Sequence, residues 1–105
     1  SSEFKEQGKI GVVLQEKSGL SGTILEIAEV NPQSNAVAAG IKKDDILIFL
    51  DGLAIHTMDD VRLALLDKAA GETVRISVIR GGEKTGTQVD MDVELFNPSL
   101  PAAHP

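Results

Sequence analysis

At 105 residues, with a net charge of −6 and no aromatic side chains beyond three phenylalanines, the chain is sized for one domain with a modest aliphatic core. The acidic balance excludes the basic stripe that nucleic-acid binding needs. The lack of cysteine excludes disulfides and thiol chemistry without fixing the compartment. No apolar run approaches the roughly 18 residues of a membrane span and no signal peptide is read in it, so direct membrane insertion is not expected.

Residues 1–9 are polar apart from Phe4 and predict a flexible lead-in. Gly8 to Gln15 then changes character: two glycines bracket Lys9-Ile10, and Val12-Val13-Leu14 follows. On composition this is a glycine turn feeding a strand. Glu16 to Gly22 is a polar Gly/Ser turn, and Thr23 to Val30 is rich in β-formers, so Val12–Glu16 and Thr23–Val30 predict a hairpin. Asn31-Pro32-Gln33-Ser34 is turn chemistry, with Ser34 placed to cap a helix of barely one turn over Ala36–Ala39 that Gly40 ends. Lys42-Lys43-Asp44-Asp45 is a polar turn. Ile46–Leu50 is a continuous apolar run, right for a strand buried on both faces, and Asp51-Gly52 signals a tight hairpin into the very short strand Leu53–Ile55.

Thr57 is a good N-cap for the main helix, with Asp60 spaced to close a capping box. Asp59 and Asp60 in the first turn and Lys68 in the last suit the helix dipole, and the helix is expected to run to about Ala70, with Gly71 as the stop. Met58, Val61 and Leu65 form its apolar stripe, and Leu63, Leu66 and Ala69 widen it, so one side is expected on the core and another against something else. In Glu72–Arg80, Val74, Ile76 and Val78 alternate with Arg75, Ser77 and Ile79. A hairpin from Gly81-Gly82 to Gly86 leads to a last strand in which Val89, Met91, Val93 and Leu95 alternate with Asp90, Asp92 and Glu94. The fold class is α+β. Residues 97–105, rich in proline, predict an extended tail.

Enzyme chemistry needs a constellation, and the chain offers none. His56 falls in a turn and His104 in the tail, Ser18, Ser21 and Ser34 lie in turns, and the pairs Asp44-Asp45 and Asp59-Asp60 suit turns and capping. Asp90, Asp92 and Glu94 read as a solvated face, with a weak divalent-ion site as the minor alternative. The glycines at 81, 82 and 86 lack the following Lys-Ser/Thr of a phosphate loop, so no cofactor is expected.

Val30 to Leu47 resembles the PDZ domain, in the bacterial form attached to HtrA-type proteases. The pattern V-x-P-x-S-x-A-x-x-A-G-I, two residues, then G-D-x-I is met at Val30, Pro32, Ser34, Ala36, Ala39, Gly40, Ile41, Asp45 and Leu47. Asp44 stands where the family usually has glycine, and aspartate tolerates a left-handed backbone better than most residues. The resemblance implies a small, partly open β-barrel or sandwich of five to six strands capped by two helices, spanning residues 10–96. A strand at the end of the chain in place of one before Ile10 matches the circularly permuted order of the bacterial type.

The resemblance also implies a site. Lys9-Ile10-Gly11-Val12 matches the family's x-Φ-G-Φ loop, which holds a peptide carboxylate on backbone N–H groups. The carried-over roles are the amides of Ile10, Gly11 and Val12, with Lys9 beside them as a cation whose plain reading is solvation. The ligand would add as a strand beside Val12, Val13 and Leu14, and its last side chain would enter a pocket of Ile10, Val12, Leu14 and Leu65. The helix wall would present Met58, Arg62 and Leu65, or Val61 in place of Arg62 after a one-residue slip. Met58 stands where many eukaryotic relatives have a histidine that selects Ser or Thr, so a hydrophobic ligand residue is implied there.

The implied partner is thus a C-terminal or extended hydrophobic protein segment, with the isolated domain a monomer in a periplasmic or envelope setting. The alternative is an intramolecular regulatory or scaffolding domain of a larger bacterial envelope protein. Such a parent would be an HtrA-type or other protease, a secretion component or a ChaN-like iron-regulated lipoprotein.

Overall fold

The computed structural model describes residues 8–98. Most of the expected lead-in and tail, with His104, lies outside the described residues. The elements in order are β1 (Val12–Gly19), β2 (Gly22–Val30), α1 (Asn35–Ala39), β3 (Ile46–Leu50), β4 (Leu53–Ala54), α2 (Met58–Ala64), β5 (Thr73–Arg80) and β6 (Thr87–Glu94). They form one open antiparallel sheet in the order β1-β2-β3-β5-β6, with β4 paired to β3. Two helices and six strands match the expected α+β architecture. The sheet's last strand comes from the C-terminal end of the chain, and just past it Phe96 and Lys9 exchange backbone hydrogen bonds of 2.7 and 3.0 Å.

The core is aliphatic, as the composition requires. Leu25, Ile27, Leu47, Leu50, Val74, Ile76, Val78, Val93 and Leu95 are all but inaccessible to solvent. The alternation expected in β5 and β6 places Val74, Ile76, Val78, Met91 and Val93 inside, with Asp90, Asp92 and Glu94 exposed. Arg75 lies 3.2 Å from Asp92, and among the described residues no acidic or histidine cluster has the arrangement of a metal site.

The connection from α1 to β3 is knitted to β5. Ser34 caps α1, its Oγ accepting from Ala36 N at 3.2 Å, and Gly40 ends it at φ 95°. Asp44 takes φ 75°, so the aspartate in the family's glycine position adopts the left-handed backbone that glycine would. Asp45 is buried. Its carboxylate accepts from Lys42 N at 2.9 Å and from both Nε and Nη2 of Arg80 at 2.9 and 2.7 Å. Arg80 Nη2 also donates to Gly40 O at 2.7 Å. Asp51 and Gly52 turn β3 into β4 with φ 49° and 80°, the two positive values of a tight hairpin.

The capping box of α2 forms as expected, with Thr57 Oγ1 accepting from Asp60 N while Asp60 Oδ2 accepts from His56 N and Thr57 N. These backbone donors, His56 first, hold the Asp60 carboxyl below its ordinary range. A folded-state pKa below the unfolded value of about 4 adds stability above that pH and loses it as pH falls through the lowered value. Urea midpoints are therefore expected to separate wild type from Asp60→Asn at pH 7 and to draw together below pH ~4. A gap that stays constant with pH would contradict this.

Two elements differ from expectation. The β1–β2 hairpin keeps its pairing through Lys17, Ser18 and Gly19, so only Leu20 and Ser21 form the turn. Across this arm Lys17 Nζ reaches Glu26 Oε1 at 2.6 Å. The helix α2 ends at Ala64, not near Ala70, because the chain after it hydrogen-bonds elsewhere: Lys68 O accepts from Gly8 N, Glu72 Oε2 from Ala69 N, and Leu95 O from Gly71 N. Lys68 therefore lies beyond the helix, 3.4 Å from Asp51.

Candidate functional site

β1 is an edge strand. It pairs with β2 on one side, and its other side borders a groove of about 400 Å³ whose far wall is α2. Lys9, Ile10, Gly11, Val12, Val13, Leu14, Met58, Val61, Arg62 and Leu65, the residues singled out from the sequence, all line this one groove.

At the head of the groove the loop is bolted down from behind. Gly11 O accepts from Asn31 N at 2.8 Å and lies 3.2 Å from Ser34 Oγ, whose one proton it shares with the nearer Asn31 O. Gly11 has φ 95°, and a Cβ there would lie 2.2 Å from Ser34 Cβ. Only glycine fits both constraints. The N–H groups of Ile10 and Gly11 meet no acceptor among the described residues. Lys9 is exposed and Ile10 is buried.

Along β1, Val12 and Leu14 are half-buried toward the groove, while Val13 is exposed. The β1–β2 register shifts between Val13 and Leu14, where Val13 pairs with Glu29 and Leu14 with Ile27, so the extra residue, Ala28, is on β2 and the alternation of β1 continues. The opposite wall is the stripe Met58, Val61, Arg62 and Leu65, at the spacing of one helix face. Both alternatives for the middle position reach the groove: Val61 is buried at its base, while Arg62 is exposed and paired with Asp59. Leu63 and Leu66 point away and are exposed.

Four lining residues were not read from the sequence: Gly8, Asn31, Phe96 and Pro98. Asn31 had turn chemistry as its only signal, and Phe96 and Pro98 arrive from the far end of the chain. Glu16 was likewise missed. Its Oε2 accepts from Met58 N at 2.9 Å, tying β1 to the start of α2 just past the groove's end.

Residues 8–91 match the family model for the PDZ domain. The chain belongs to the PDZ family. PDZ domains are protein-interaction modules, and this one is of the bacterial, HtrA-associated type. It is 35% identical over 79 residues to the serine protease Do-like HtrA of Bacillus subtilis, covering 70% of this chain and 18% of that protein. It is 26% identical over 85 residues to the periplasmic pH-dependent serine endoprotease DegQ of Escherichia coli, covering 73% and 19%. To the magnetosome formation protease MamE of Paramagnetospirillum magneticum it is 32% identical over 57 residues, covering 54% and 8%. The PDZ chain thus spans at most 19% of the length of these three relatives. Its fold is similar to that of a solved HtrA-type protease with a decapeptide, at a TM-score of 0.72 and 19% identity over 94% of this chain and 31% of the other.

Proposed function

We propose that this PDZ domain captures the hydrophobic C-terminus of a protein by adding it as a strand to β1. The observation that carries the reading is the open edge of β1 beside an apolar groove, with the unaccepted N–H groups of Ile10 and Gly11 at its head. A carboxylate there satisfies those donors, which a side-chain cation need not assist. A chain end held at the start of β1 must run antiparallel to it. Its last side chain then enters the pocket of Ile10, Val12, Leu14 and Leu65, and the side chain two residues upstream meets Met58, which favours an apolar group there. The similar HtrA-type protease with a decapeptide is consistent with a ligand of this class.

Each ladder hydrogen bond contributes about 1 kcal/mol and one buried aliphatic side chain about 1.5–3 kcal/mol, so after association costs a Kd around micromolar is expected. Fluorescence anisotropy with a peptide ending in valine, as the free acid and as the amide, tests the reading. The acid is expected to bind at least ~10-fold tighter, as suits a charge-assisted contact. Equal affinities would refute the carboxylate role.

A second reading concerns the setting. The similar proteins are mostly proteases several times longer than this chain, so we infer that the domain serves a larger, proteolytic parent, with the groove taking either a substrate's end or a segment of the parent itself. Mass spectrometry of the intact gene product, reading what adjoins Ser1, tests this directly, and a parent with no protease domain would overturn it.

A further inference from the structure

We propose that Glu16 makes the far end of the groove select a basic ligand residue, four positions upstream of the C-terminus. The inference rests on the strand-addition reading above and extends it to a position that the apolar groove does not reach. With the last ligand residue beside Val12, an antiparallel strand places the residue two upstream beside Leu14 and the residue four upstream beside Glu16. Side chains at these alternate positions share the face turned toward α2. Glu16 lies on that face of β1, because it pairs across the sheet with Leu25, a core residue, just as Leu14 pairs with Ile27.

The carboxylate of Glu16 is already oriented. Oε2 accepts from Met58 N at 2.9 Å, while Oε1 has no partner among the described residues. A lysine or arginine opposite can therefore meet a prepared acceptor, without the full cost of ordering two flexible side chains. The neighbouring charges do not cancel it. Asp59 and Arg62 on α2 are engaged with each other, and Lys17, on the opposite face of β1, is engaged with Glu26. Lys9, the one cation at the groove's other end, sits where the ligand's carboxylate would lie. The groove is thus graded in charge along its length, positive where a C-terminus ends and negative where its upstream residues leave.

The test uses free-acid peptides ending in valine that carry Lys, Gln or Glu at the fifth position from the end, titrated against wild type, Glu16→Gln and Glu16→Lys at about 50 mM salt. An opposite-charge cross-strand pair at a surface predicts a roughly two- to fivefold preference for Lys over Gln in wild type. The preference should vanish in Glu16→Gln, which keeps an acceptor for Met58 N, and should turn toward the Glu peptide in Glu16→Lys. It should also shrink at about 0.5 M salt, where the screening length falls to a few ångströms.

A lysine moved to the fourth position from the end, on the outward face, reports the general attraction of an acidic domain. If it gains as much as lysine at the fifth position, or if the Lys preference survives in Glu16→Gln, the proposal is overturned. The Gln peptide compared with its own amide shows separately whether the strand-addition reading holds, so the two can fail independently.

Discussion

Replacing Arg80 by methionine is expected to destabilise the domain by about 3–5 kcal/mol, the cost of leaving a buried carboxylate without its counter-ion. Asp45 is 1% exposed and keeps only Lys42 N once the guanidinium is gone, and the same change strips Gly40 O of its donor. The reverse deletion should be milder. Asp45→Asn retains an acceptor for Lys42 N, and it leaves the charge on Arg80, whose side chain is 32% exposed and can turn to water. A cost of about 1–2 kcal/mol is expected for it. Urea unfolding of the two variants checks the asymmetry, and equal losses would show that the burial of Asp45 is not what sets the cost. For a domain whose total stability is of order 5–15 kcal/mol, the larger loss brings it near unfolding.

Gly11→Ala is expected to cost about 2–4 kcal/mol and to weaken peptide binding more than tenfold, whereas Gly40→Ala, at the same φ of 95°, should cost about 1 kcal/mol and leave binding unchanged. Both substitutions force an L-residue into the left-handed region. They differ in surroundings: nothing lies within 4 Å of a Cβ at Gly40, but a Cβ at Gly11 falls 2.2 Å from Ser34 Cβ and 2.9 Å from Phe96. Ser34 cannot yield freely, since its Oγ caps α1 and donates to Asn31 O at 2.7 Å. The loop must move instead, and with it the N–H groups of Ile10 and Gly11. Urea midpoints and anisotropy on the two variants separate backbone strain from the clash. If Gly11→Ala costs no more than Gly40→Ala, the close approach of the loop to Ser34 is not structurally important.

The features legible in the sequence are those whose cause is local. Ser34 and Gly40 bracket α1 because a cap and a left-handed residue act within one turn of chain. Thr57 and Asp60 close their box across three residues, and Asp51-Gly52 supplies the two positive φ values of its turn from adjacent residues. The strands β5 and β6 were readable because one face meets the core and the other mostly meets water, with Ser77 the buried exception. The far half of the β1–β2 hairpin was not. Beyond the short pairing of Leu25 and Glu26 with β3, this arm carries no alternation that would mark it as a strand, and it is held by its own pairing and by the Glu83 carboxylate at its tip, which accepts from Leu20 N. The end of α2 was misjudged for a related reason. Leu66, Lys68 and Ala69 are good helix formers, yet Lys68 O is taken by Gly8 N and Leu95 O by Gly71 N, contacts that no window of sequence contains, while Ala69 N turns to the nearby Glu72 carboxylate.

The sequence by itself determined the family, the aliphatic core, the caps and turns, and the two segments that wall the groove, because a spaced motif and period-2 or period-3.6 patterns survive without knowledge of what lies opposite. Only the tertiary structure decided how those walls are joined. It brought Asn31, Phe96 and Pro98 to the groove, set Arg80 on Asp45 across 35 positions, and laid Glu16 against Met58 across 42. Each of these is a contact between a polar or irregular segment and a distant one. Such contacts follow from where the sheet places its edges, and pattern along the chain carries no record of that.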